Sequence, residues 1–131
     1  MILSYRKTKE GTSKPTNFEY KIKRGEKIHT ILADVKTRWK VGMKIQQANG
    51  VRNKYYNCFQ ENICTGVQSI KIECPTEYMN DVKIYVDDRL LNIDEMIELA
   101  HNDGFDCLGE FLLWFNEDFE GKIINWTDKR Y

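Results

Sequence analysis

Gly25-Glu26-Lys27-Ile28-His29-Thr30-Ile31 joins the end of a helical pattern to the start of a strand pattern, and its reading decides the fold. Glycine tolerates positive φ, so the chain can turn sharply at Gly25 and enter a strand at about 27–32. Strand alternation sets Lys27 and His29 on one face and Ile28 and Thr30 on the other. Two readings follow. In one, this is a basic surface strand over a buried isoleucine pair. In the other, the turn tightens the strand start, and the Lys27 amine and Thr30 hydroxyl converge on a pocket at the strand edge.

Upstream, Thr16 is placed to cap a helix whose apolar face holds Phe18 and Ile22, with Tyr20 on its flank. Lys21, Lys23 and Arg24 stand in its last turn, where cations suit the helix dipole, and Gly25 stops it. Ile2–Tyr5 reads as a first strand, and residues 7–15 as a loop rich in Gly, Ser, Thr and Lys.

Downstream, residues 34–42 form a charged connection in which Trp39 stands between Arg38 and Lys40. An aromatic among cations can stack on a base while the cations hold phosphate; the alternative is an anchor pinning the loop to the core. A strand begins at Met43 and reaches Val51, with the turn dipeptide Asn49-Gly50 near its end. Arg52-Asn53-Lys54-Tyr55-Tyr56-Asn57 is a basic aromatic loop suited to nucleic-acid contact, or to a solvated hairpin tip.

From Thr65 to Cys74 the chain alternates, with Gln68, Ile70, Ile72 and Cys74 on the apolar side. Residues 82–86 form a further strand, and Asp87-Asp88 turns it into Arg89-Leu90-Leu91. Asn92 is placed to cap a helix with Ile93, Met96, Ile97 and Ala100 on one face and Gly104 as its stop. A second helix, about 107–118, presents Leu108, Phe111, Leu112 and Phe115. Residues 121–126 are the last strand.

One domain spans residues 1–131, long enough for one core and too short for two. The order β, α, several β, α, α, β lacks regular strand–helix alternation, which argues against a doubly wound sheet. The fold class is α+β: a small β-barrel or strongly curved mixed sheet with flanking helices.

No apolar run is long enough to span a bilayer, and the N-terminus lacks a signal-peptide pattern, so a cytoplasmic protein with no membrane partner is expected. Cysteines at 58, 64, 74 and 107 lack the paired spacing of a zinc site and read as free thiols; no metal or cofactor is expected. Residues 1–54 carry 14 Lys/Arg against 4 Asp/Glu, and residues 55–131 carry 6 against 16. That split points to a basic face for an anionic partner, or to two halves that neutralise each other.

Taken in order, Gly25-x-Lys27-x-x-Thr30-Ile31, Trp39-Lys40-x-Gly42, Asp103-Gly104-Phe105 before an aromatic-rich helix, and Ile124-Asn125-Trp126 resemble an ASCH domain, a member of the PUA-like β-barrels. The likeness covers about residues 18–126. It implies a cleft at Lys27 and Thr30 that binds RNA or a nucleotide. It also implies an alternative activity, an amidohydrolase that removes the acyl group of a nucleoside such as N4-acetylcytidine. Lys27 and Thr30 match the catalytic Lys and Thr of such enzymes, and Asp103 stands where they carry a Glu. Leu32 takes the place of a frequent Arg, which removes a fork for phosphate or carboxylate. His29, Arg38, Trp39, Lys40, Arg52, Tyr55 and Phe105 are the expected ligand contacts, with Trp39, Tyr55 and Phe105 as candidate walls for a base. A third reading is a small regulatory interaction domain. Whether the protein is an enzyme, its ligand and its oligomeric state stay open at this level.

Overall fold

The stretch from Gly25 to Ile31 does close a helix and enter a strand, but the strand turns its polar residues inward. Lys27, His29 and Ile31 are buried, while Ile28, Thr30 and Leu32 are half-buried. The alternation is as expected from the sequence, and the basic face is the inner one.

The computed structural model describes residues 1–8, 14–51, 54–75 and 81–131. In chain order the elements are β1 (Ile2–Tyr5), α1 (Phe18–Arg24), β2 (His29–Leu32), β3 (Lys44–Asn49), β4 (Asn57–Ile63), β5 (Gly66–Glu73), β6 (Lys83–Val86), β7 (Arg89–Leu90), α2 (Ile93–Asn102), α3 (Leu108–Trp114) and β8 (Phe119–Asn125). The α+β class holds. No closed barrel forms among the described residues; the strands sort into two sheets. One has the order β1-β3-β4, with β1 parallel to β3 and β4 antiparallel to it. The other has the order β2-β8-β5-β6-β7 and is antiparallel throughout. The chain passes from one to the other at Cys64 and Thr65. There the Cys64 N–H donates to the Met43 carbonyl, and the Thr65 N–H donates to the carbonyl of Asn125 at the end of β8.

Local chemistry explains the elements. In β5, Gln68, Ile70 and Ile72 face the core while Ser69 and Lys71 face outward, the period of a strand with one wet face. Asp87 and Asp88 both take positive φ (48° and 67°), as a two-residue hairpin between β6 and β7 requires. Asn92 caps α2 in a reciprocal capping box: its side chain accepts from the Glu95 N–H, and the Glu95 carboxylate accepts from the Asn92 N–H. Arg89 donates twice to that carboxylate, and these bonds hold its pKa at about 2.

Several expectations shift. The N-cap position of α1 falls to Asn17, in a left-handed conformation, and not to Thr16; the Thr16 hydroxyl donates to the Arg6 carbonyl and accepts the Phe18 N–H only at 3.5 Å. The buried stripe of α2 is Met96, Leu99 and Ala100, whereas Ile93 and Ile97 are exposed. The helix expected over 107–118 ends at Trp114, and β3 ends at Asn49. β4 was not foreseen. Phe111 and Leu112 enter one core with Ile70, Ile72, Ile84 and Ile124.

Candidate functional site

Two chain reversals bring the polar residues together. Gly25, at φ 77°, closes α1, and its N–H donates back to the Ile22 carbonyl. The Lys27 N–H then bonds to the Lys21 carbonyl, and the Ile28 N–H to Asn102 at the end of α2. On α2 the inward stripe continues by one turn to Asp103, which is 3% exposed. Gly104 reverses the chain at φ 95°. A side-chain carbon there would stand 2.9 Å from Lys27 Cδ and 3.0 Å from the Phe18 ring, so the lysine stem fills the space that glycine leaves.

Lys27 is 1% exposed and His29 0%. Lys27 Nζ donates to the Asp103 carbonyl at 2.5 Å and to Asp103 Oδ1 at 3.2 Å. It sits 4.6 Å from the Phe18 ring centroid and 5.7 Å from that of Tyr5, so two aromatic faces share the cation with the carboxylate. His29 Nδ1 lies 3.2 Å from the same Oδ1, and Nε2 lies 2.7 Å from the Tyr131 hydroxyl. Burial pushes the Lys27 pKa below its ordinary value, against the pull of Asp103. Burial likewise lowers His29, and it raises Tyr5, where the Asp103 charge adds to the effect.

Lys27, Thr30 and Asp103 line one cleft of about 230 Å³, with Phe18, Phe105 and Trp114 among its walls. Phe18, Phe105 and Trp114 meet one another edge to face at 5.5–5.9 Å, which fixes the wall. A second groove, of about 420 Å³, shares Tyr5, Arg6 and Phe18 with the cleft and runs past Asn49 and Asn57 to Tyr55.

The remaining expected contacts scatter. Tyr55 is exposed in that second groove, under Lys54 Nζ at 5.2 Å. Trp39 is buried in the core at the end of the 34–42 connection, and the N–H groups of Arg38 and Trp39 are held by the Asp34 carboxylate. That is the anchor reading of this tryptophan. Arg38 and Lys40 are exposed and do not line the cleft. Arg52 lies outside the described residues. His29 stands behind Asp103 and is not part of the cleft wall.

Sequence reasoning passed over Tyr5, Phe18 and Trp114 as walls, and over Asn102 and Tyr131 as polar partners. The aromatic residues were visible as helix or strand positions; only the fold turns them to one point. Tyr131 carries no local signal at all.

Among the described residues no cluster of His, Cys, Asp and Glu could hold a metal, and no helix is long and apolar enough to cross a membrane. No protein-family model, no curated protein and no solved structure matches the chain.

Proposed function

We propose that the chain is an ASCH-type, PUA-like domain whose cleft at Lys27 and Thr30 takes a nucleotide, or one nucleotide unit of an RNA. The observation that carries this reading is the fully buried Lys27 amine, anchored on Asp103 in the wall of an aromatic cleft. An ammonium has three N–H donors. Two are taken by Asp103, and the third would be met by a carbonyl or phosphate oxygen seated against Lys27 in the cleft. The half-buried Trp114 ring offers a flat apolar surface for a base, with Phe105 edge-on to it. The volume, about 230 Å³, suits one planar ring better than a large cofactor. The groove beyond Phe18 offers Arg6 and Tyr55 to the rest of the ligand.

A second reading, hydrolysis of an N-acylated nucleoside, is favoured by one specific arrangement: Thr30 shares the cleft with Lys27 and Asp103. Thr30 Oγ1 would attack the acyl carbon while a neutral Lys27 takes the hydroxyl proton. The C–N bond would break, the nucleoside amine would leave with that proton, and water would then release the acyl group from Thr30. Burial supports a neutral amine, and the Asp103 charge opposes it.

One experiment separates the readings: binding and turnover measured side by side on short RNAs, nucleotides and N-acylated nucleosides. For a binding cleft, Thr30→Ala is expected to cost about 0.5–1.5 kcal/mol of affinity, the worth of one hydrogen bond. Lys27→Met should cost more. For an enzyme, Thr30→Ala abolishes turnover while binding persists. Neither binding nor turnover across the panel would overturn both.

A further inference from the structure

Beyond the cleft wall, the polar groups continue from Asp103 through His29 to Tyr131 and Asn102, and one set of hydrogen-bond directions gives every one of them a partner. Asp103 Oδ1 accepts only, as a carboxylate, and it faces both Lys27 Nζ and His29 Nδ1 at 3.2 Å. His29 Nδ1 must therefore carry a proton. The Asn102 amide donates to the Tyr131 hydroxyl oxygen at 2.9 Å. With Nδ1 protonated and the imidazole neutral, Nε2 is the acceptor, and the Tyr131 O–H donates to it, 2.7 Å away. A proton on Nε2 would make the phenol oxygen accept from both Asn102 and His29 and would leave its O–H without either of them as a partner. The Tyr131 ring stands edge-on to the imidazole at 5.5 Å. Its backbone is clamped by Gln68, which accepts from the Tyr131 N–H and donates to its carbonyl, both at 3.1 Å. The charged groups around His29 are Asp103 from the end of α2 and Lys27 from its own segment, with the Tyr131 phenol beyond Nε2. On the outer side of that phenol, Lys129 pairs with Glu98 at 2.5 Å and lies over the Tyr131 ring.

We infer that His29 and Tyr131 are positioning residues for the cleft: with Asn102 they hold the imidazole neutral, proton on Nδ1, so that Asp103 is fixed in place and serves as counter-ion to Lys27 alone. This deepens the reading of Lys27 as the cleft's anchored amine. A protonated His29 would divide the single Asp103 charge between two cations. The Lys27 ammonium would then lose much of the attraction that offsets its burial. The depressed pKa of His29 agrees with the geometry.

The test is NMR of the free chain labelled with ¹⁵N at histidine and lysine side chains, which needs no ligand. His29 is expected as the neutral Nδ1–H tautomer, unchanged from about pH 8 to pH 5 (its ordinary midpoint is near 6.5). In Tyr131→Phe, His29 is expected to lose the single tautomer, and the Lys27 midpoint to fall wherever His29 then takes up a second proton. His29→Asn keeps an amide donor at the Nδ1 position and should leave Lys27 near its original midpoint, which loss of packing alone would not. Should Tyr131→Phe fail to fold, Asn102→Ala and the unsubstituted chain carry the test. A proton on Nε2 in the unsubstituted chain overturns the inference. So does an ordinary His29 midpoint, or a Lys27 midpoint indifferent to Tyr131→Phe. If these spectra behave as expected and no nucleotide or RNA binds, the cleft reading fails and the positioning role stands.

Discussion

Lys27 is a charge-bearing side chain with almost no access to water, and its stability rests on one carboxylate. Removing one member of a buried ion pair leaves the other uncompensated, at a cost of about 3–5 kcal/mol. Lys27→Met is therefore expected to lower unfolding free energy by about that amount in denaturant titrations. Adding Asp103→Asn should recover part of the loss, because the neutral amide it introduces still accepts from His29. The histidine has its own signature. Its pKa is lowered in the folded chain, so between that value and its ordinary 6.5 the unfolded chain binds more protons. Stability then falls as pH drops below about 6.5, toward the depressed folded value. His29→Gln should flatten that slope in melts between about pH 6.5 and pH 5; His101 is present in both chains and cancels. The sequence exposed Lys27, His29 and Thr30 as neighbours with alternating faces. It could not show which face is inner. Inward lysine breaks the polar-out rule unless a partner waits, and that partner stands 76 positions away.

At the scale of elements, the sequence is legible where local chemistry decides. The cap and stop of α2, the glycine end of α1 and the alternation of β5 all follow from residues within a few positions. β4 was illegible for a physical reason. Asn57–Ile63 borders its sheet, and none of its residues is fully buried, so no period of two is written into it. In α2, Ile93 and Ile97 offer an equally good apolar stripe, and only the shared core selects Met96, Leu99 and Ala100. α3 is short, yet Phe111 is fully buried between Phe105 and Phe115. Phe111→Ala is expected to cost about 3–5 kcal/mol in thermal or chemical unfolding. A loss under about 1 kcal/mol would mean that α3 packs more loosely than this.

Across the whole molecule, the charge split between the two halves is partly cancelled by folding. Lys21 pairs with Asp106, Lys27 with Asp103 and Lys44 with Glu61, each a basic residue of the first half against an acid of the second. Arg38 and Lys40 stay exposed on the 34–42 connection, away from the cleft. A nucleotide seated in the cleft is expected to keep its affinity within about twofold on joint Arg38→Glu and Lys40→Glu substitution, since each exposed charge acts weakly through screened solvent. RNA that also crosses the connection should lose affinity and part of its salt dependence, about −0.7 in log–log slope per phosphate contacted. Binding titrations at two salt concentrations read both outcomes. Composition pointed to a basic half; which cations share a surface is set by sheet order, which composition does not encode.

β2 has its sheet partner in β8, and His29 meets Tyr131 102 positions later. On a ribosome, which adds about 5–20 residues per second, that interval lasts on the order of 5–20 s. Throughout it Lys27 and His29 are hydrated side chains on a nascent segment without its neighbour, and their polarity keeps that segment from clinging to others. Their dehydration waits for β8 and the residues that follow it, so the costliest transfer out of water comes only after Tyr131 has been made, when Asp103 and Tyr131 are there to receive it.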